Sequence, residues 1–111
     1  MALPEVEETT PFGPEALVYK VSGKMFAVTV PEDVPARMNL KCDPDRALEL
    51  RDQYESIIPG WHMNKRHWNT VLLDGGVPDA LLAELVRHSY ELVVAGMKKA
   101  ERERLMALLT E

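Results

Sequence analysis

Two alternating runs of apolar and polar residues constrain the fold of this chain more than any other feature. Residues 17–30, LVYKVSGKMFAVTV, are rich in β-branched and aromatic side chains and are broken by Ser22-Gly23. This pattern predicts a β-hairpin with a short turn. Residues 37–42, RMNLKC, alternate strictly, which predicts a strand that is buried on one face only. Its polar, basic face would carry Arg37, Asn39 and Lys41.

The residues that follow carry a clear helix start. Asp43 is a good N-cap and Pro44 suits the first helical position, which predicts a helix over residues 43–55. Two further extended runs are joined at residues 64–66, and the spacing of apolar residues near the C-terminus predicts two helices. The extended runs cover residues 56–63 and 67–75, and the helices residues 78–97 and 98–111.

This order of elements predicts an α+β fold, with a mainly antiparallel sheet and helices packed on one face. The other face of such a sheet can remain in water. At 111 residues, the chain has the length of a single domain, over residues 1–111. We expect a cytoplasmic monomer with no membrane span, because the start resembles no secretory signal and no apolar run approaches about 20 residues. The single cysteine, Cys42, allows no intrachain disulfide and fits a reducing compartment.

Charge is distributed unevenly along the chain, whose formal net charge is −5. Residues 17–42 and 56–72, the segments predicted as strands, contain six basic and two acidic side chains. The rest contains seven basic and sixteen acidic side chains. The net charge argues mildly against nucleic acid as a partner. The distribution nevertheless predicts a polarised molecule, with a basic sheet and acidic helices.

Four stretches resemble the MmcQ/YjbR-like family of small bacterial proteins: PFGPEALVYKVSGKMFA, MNLKCDPDRALELRDQY, IIPGWHMNKRHWNTVLLDG and HSYELVVAGM. The resemblance runs from about Leu3 to about Met97 and is most specific at HMNKRHWNTV. It implies a frataxin-like (CyaY-like) fold, also described as a double-wing arrangement, and a DNA-binding role. Family members generally begin with a helix before the segment that matches LPEVEE, so we expect that helix to be missing or shortened here.

Residues 60–70, GWHMNKRHWNT, concentrate aromatic, polar and basic side chains. Single-strand binders use aromatic rings for stacking and cations for phosphates, and a wing-like hairpin contacts DNA through its tip. The opposing interpretation places Trp61 and Trp68 in the core, lets Asn64 shape the turn and leaves Lys65-Arg66 solvated; large aromatics favour the core. The predicted nucleic-acid surface consists of Arg37, Asn39, Lys41, Asn64, Lys65, Arg66, His67 and Asn69.

Other functions have weaker support in the sequence. His62 and His67 are five residues apart and would fall on opposite faces of a hairpin, which disfavours a shared metal. Cys42 falls on the apolar face of its strand, so a buried thiol is favoured over a nucleophile. We therefore expect no catalytic residue, no metal and no cofactor. The leading hypothesis is a non-enzymatic protein that binds DNA weakly, and the alternative is an interaction or scaffold domain for an acidic protein.

Overall fold

The computed structural model describes residues 3–11, 13, 15–61 and 63–110. Within these residues the chain forms six strands and three helices. The strands are β1 (Val6–Thr9), β2 (Leu17–Val21), β3 (Lys24–Val30), β4 (Arg37–Lys41), β5 (Ile57–Pro59) and β6 (Trp68–Leu72). The helices are α1 (Pro44–Gln53), α2 (Asp79–Ala95) and α3 (Lys99–Leu109).

The strands form one antiparallel sheet in the order β1-β2-β3-β4-β6-β5. The helices contribute to a single apolar cluster with the sheet, so they cover the same face. The predicted α+β class is confirmed. The opposite face is called the outer face below. No helix in the described part of the chain is long and apolar enough to cross a bilayer.

Local sequence signals account for the first hairpin and the first helix. Ser22 and Gly23 have φ angles of 48° and 76°, as a two-residue type I′ turn requires. The Asp43 side chain accepts a hydrogen bond from the Arg46 backbone N–H at 3.1 Å, which caps α1. Both predicted elements are confirmed, and α1 ends at Gln53.

Strand β1 was not among the predicted elements. It pairs with β2 through Val6 opposite Val21 and Thr9 opposite Val18, and it forms one edge of the sheet. Its sequence, VEET, is short and acidic, with only one apolar residue. Its place in the sheet depends on an available neighbouring strand, because a four-residue segment of this kind has no strong strand propensity of its own.

The second hairpin also differs from the prediction. Strand β5 ends at Pro59, opposite Asn69, so the connection to β6 spans residues 60–67 instead of 64–66. A Cβ atom on Gly60 would lie 2.8 Å from the Cβ of Trp68, so glycine permits the close approach where the chain leaves the strand. Strand β6 also pairs with β4, which places the connection beside the strand predicted to be basic.

The core lies between the sheet and the helices. Phe26 of β3 and Tyr90 of α2 pack edge to face, with ring centroids 5.4 Å apart. Leu105 anchors α3 and is fully buried. Cys42 is also buried, as predicted.

Ser89 of α2 joins β3 to β4 in the core. Its hydroxyl accepts a hydrogen bond from the Lys41 N–H at 2.8 Å and donates to the Phe26 carbonyl at 2.5 Å. Lys41 and Phe26 lie beside an irregularity in the β2–β3 register, where Met25 pairs with Lys20 and Ala27 with Tyr19. The serine therefore satisfies two backbone groups that would otherwise be buried without partners.

Candidate nucleic-acid interface

The connection between β5 and β6, residues 60–67, is called the 60–67 loop. Hydrogen bonds hold the backbone of Trp61, near the start of this loop, against the outer face of the sheet. The Trp61 N–H donates to the Thr70 hydroxyl at 2.8 Å, and the Asn39 side-chain amide donates to the Trp61 carbonyl at 3.1 Å. The Thr70 hydroxyl in turn donates to the Asn39 side-chain oxygen at 2.6 Å. Because Asn39 and Thr70 are both buried, this network holds the backbone of the loop in one position.

Arg51 of α1 fastens the other end of the same loop. Its Nε atom donates to Asn69 Oδ1 at 2.6 Å, and its guanidinium also bonds the carbonyls of Trp68, at 3.3 Å, and of Lys65. The Cys42 N–H donates to the His67 carbonyl at 2.8 Å. The loop is therefore held by α1, β4 and β6 together.

The tip of the loop, residues 64–67, is exposed. The Asn64 side chain accepts a hydrogen bond from the Arg66 N–H at 2.9 Å, and the Asn64 carbonyl accepts one from the His67 N–H at 3.2 Å. Asn64 thus shapes the turn. The Lys65 ammonium donates to the Gly60 carbonyl at 3.0 Å. The Arg66 side chain extends the tip into solvent beside it.

Asn39 and Asn69 do not belong to an exposed binding surface, and their predicted exposure is wrong. They are 8% and 3% exposed, respectively. Asn39 is bonded to Trp61 and Thr70, as described above. Asn69 pairs with Leu40 and lies on the helix side, where its amide donates to the Ala47 carbonyl at 3.4 Å. Both side chains hold the loop in place, and Asn39 also contributes to the lining of a cleft on the outer face.

Trp61 is not a core residue, contrary to the expectation from its size. It is 48% exposed, because the loop crosses the outer face where a strand was predicted. The Arg37 guanidinium carbon lies 4.7 Å from the centroid of a Trp61 ring, and Arg37 also forms an ion pair with Asp33. Trp68 is half-buried, in line with the packing role expected of it.

The structure divides the predicted basic surface into three regions. Arg37 lies with Trp61 on the outer face. Lys41 lines a depression with Lys24 and Leu92 of α2. The third region places the exposed tip next to α1, and it is lined by Pro44, Asp45, Leu48, Arg51, Lys65 and Arg66. Among these three regions, the tip places two adjacent exposed cations on a backbone held by hydrogen bonds.

Two features of the described residues bear on a cysteine nucleophile and on a metal site. Burial raises the pKa of the Cys42 thiol, which disfavours the thiolate that nucleophilic attack requires. Residues 3–11, 13, 15–61 and 63–110 contain no group of three or more histidine, cysteine, aspartate and glutamate side chains that could hold a metal ion. The predicted position of His62 opposite Trp68 lies outside the described residues.

His88 links α2 to the start of α1. Its Nε2 atom accepts a hydrogen bond from the Asp43 N–H at 3.2 Å, which requires a neutral imidazole. Burial and the nearby Arg46 hold the pKa of His88 below its ordinary value of 6.5, although Asp43, Glu84 and Glu91 oppose this shift. Protonation would therefore remove an acceptor at the helix cap.

We expect the stability of the protein to fall as the pH drops below about 6.5. The unfolded chain binds a proton on His88 at a higher pH than the folded chain does, so this residue's contribution is present above that pH and is lost below it. Urea denaturation between pH 5 and pH 8 measures the effect. The variant His88→Gln keeps an uncharged acceptor and should show a flatter pH dependence. An identical slope in both proteins would contradict this role.

Known proteins resemble the chain in sequence and in structure. A family model described as YjbR matches residues 1–92. The uncharacterized protein YbdF of Escherichia coli O157:H7 is 41% identical over 105 residues, which cover 95% of this chain and 86% of YbdF. The uncharacterized protein YjbR of Escherichia coli K12 is 34% identical over 108 residues, which cover 97% of this chain and 92% of that protein.

Two solved structures share the fold. The crystal structure of Deinococcus radiodurans protein DR2400, with a domain of the DUF419 family model, aligns with a TM-score of 0.87 at 50% identity and covers 93% of this chain and 79% of that one. A crystal structure of a Pseudomonas syringae protein aligns with a TM-score of 0.70 at 28% identity, over 80% of this chain and 87% of that one. The resemblance drawn from the four quoted stretches is confirmed, and the chain belongs to the YjbR family.

Proposed function

We propose that this domain is a cytoplasmic, non-enzymatic DNA-binding module whose contact with the phosphate backbone is the tip of the 60–67 loop. The observation that carries this proposal is the exposed Lys65-Arg66 pair on a loop held from three sides. A preorganised loop loses little conformational entropy on binding, so its cations can contribute to affinity. Asn64 and His67 flank the pair and supply further hydrogen-bonding groups.

The charge of the molecule limits how tightly such a site would bind. The net charge is −5, and Asp45 lines the same depression as Arg66. Lysine and arginine contacts to phosphates carry no sequence information by themselves. We therefore propose weak, strongly salt-dependent binding without sequence preference.

Reversing both charges at the tip, with Lys65→Glu and Arg66→Glu, should weaken DNA binding at least about tenfold and reduce the salt slope by up to about 2, because two phosphate contacts are lost. Fluorescence anisotropy of labelled DNA at several salt concentrations measures both quantities. The matched control is Lys98→Glu with Lys99→Glu, which reverses an adjacent exposed pair at the start of α3. Equal losses in the two variants would show that net charge alone matters, and would refute the site.

The second candidate is an interaction domain for an acidic protein, favoured by the contact between the exposed Trp61 indole and the partly buried Arg37. Tryptophan and arginine are enriched among the residues that dominate protein interfaces. Absence of DNA binding at low salt would shift the assignment to this function. In that case a pull-down with Trp61→Ala against the unaltered domain would identify partners that need this surface.

A further inference from the structure

A cleft of roughly 540 Å³ opens on the outer face of the sheet, beside the 60–67 loop. Its volume falls within the range of small-ligand sites. Val28 and Val30 of β3 contribute apolar floor, and Trp61 and Met63 of the loop contribute one wall. The cleft is separate from the depression that the loop tip shares with α1.

The charges at this cleft disfavour an anionic ligand. Arg37 is already paired with Asp33, and Glu15 adds a further carboxylate to the lining. These three groups together carry one net negative charge, so a phosphate would be repelled. The apolar floor and the indole of Trp61 instead suit a flat, uncharged ring, which gains from stacking and from removal of apolar surface from water.

The cleft lies next to the tip of the loop, and this position indicates which kind of molecule would supply such a ring. Met63 lines the cleft, and Arg66 lies three residues later. Because consecutive Cα atoms are 3.8 Å apart, the two Cα atoms lie within about 11 Å of each other. A nucleic-acid strand whose phosphates contact the tip therefore has its bases within reach of the cleft.

We infer that the cleft receives an unstacked base from a single-stranded DNA whose phosphates are held by Lys65 and Arg66. The inference rests on the proposed function and adds a ligand class to it. The base stacks against the part of the Trp61 indole that remains exposed beside Arg37, while its phosphates stay outside the acidic lining. The domain then prefers single strands to duplex, because the bases of a duplex are already stacked and paired.

The decisive experiment compares an octathymidylate with an abasic octamer of the same length, which has the same phosphates but no bases. We expect the octathymidylate to bind about tenfold more tightly and to quench the fluorescence of Trp61, since stacking on one aromatic residue contributes about this factor. A Trp68→Phe background assigns the signal, because the chain has two tryptophans. Free thymidine serves as a third ligand.

The variant Trp61→Ala should abolish the advantage of the octathymidylate, and Trp61→Phe should retain most of it. The Trp61 backbone remains bonded to Thr70 and Asn39 in both variants, so the loop keeps its anchors. Equal, salt-dependent binding of the two octamers would overturn the base-binding inference and leave the proposed function intact. Binding of neither octamer would overturn the base-binding inference, and the proposed function would fail with it if duplex DNA did not bind either. Thymidine binding as tightly as the octamer would overturn the assignment to a strand.

Discussion

Replacing Leu105 with alanine is expected to lower the free energy of unfolding by about 2–5 kcal/mol, the range measured for fully buried leucines. Leu105 projects from α3 into the apolar cluster and has no exposed surface. Among the described residues of α3 it is the buried one, while Leu108 and Leu109 pack against the cluster from its edge. Its loss would leave a cavity between α3 and the apolar cluster.

The neighbouring residue provides the control. Met106 lies on the same helix but is 36% exposed, so Met106→Ala should cost less than about 1 kcal/mol. Urea denaturation followed by circular dichroism and by tryptophan fluorescence measures both variants. Similar costs for the two substitutions would mean that α3 does not pack on the domain in solution as it does in this structure.

Truncating Arg51 to alanine is expected to cost about 2–3 kcal/mol and to loosen the 60–67 loop. Hydrogen bonds to a charged group contribute more than neutral ones, and the substitution leaves the buried Asn69 oxygen without its donor. The variant Arg51→Lys should recover only part of the loss, because an ammonium cannot reproduce the guanidinium fork that reaches Asn69, Trp68 and Lys65. Denaturation gives the stability, and hydrogen exchange of the loop amides reports the loosening.

Arg46 is a matched control for Arg51. It lies on the same helix and pairs with Glu84 at 2.6 Å, with both side chains partly exposed at 30% and 59%. Exposed ion pairs contribute about 0–1 kcal/mol, so Arg46→Ala should change stability little and leave exchange in the loop unaltered. Faster loop exchange in Arg46→Ala than in Arg51→Ala would refute the anchoring role of Arg51.

The exposed side chains of the candidate site could be predicted from the sequence, whereas the side chains that hold the loop in place could not. Lys65 and Arg66 follow from their position between two extended runs, and Asn64 from the preference of asparagine for turns. His67 was predicted at the start of the second run. No pattern in the sequence indicated that Arg51 holds the loop, because an arginine near the end of a helix is ordinarily solvated. Its role appears only when α1 packs next to β6, 18 residues further along the chain, and brings Asn69 within bonding distance.

Asn39 illustrates the same limit. Strict alternation in β4 correctly separated its side chain from those of Met38 and Leu40, but alternation distinguishes two faces without saying which is covered. The outer face is covered here because residues 60–61 leave β5 early and fold across it, fastened by Thr70. This covering depends on contacts between residues about 20 to 30 positions apart in the chain. The alternation of side chains within one strand does not predict such contacts.

The sequence by itself determined the α+β class, the short hairpin turn at Ser22-Gly23, the capped start of α1 and the family, because each depends on neighbouring residues or on motifs read along the chain. The tertiary structure alone decided three matters: the entry of β1 into the sheet, the length of the 60–67 loop and the separation of the basic residues into three regions. These three features depend on hydrogen bonds between buried groups that are distant along the chain. A buried polar atom bonds to whichever group the tertiary packing places beside it.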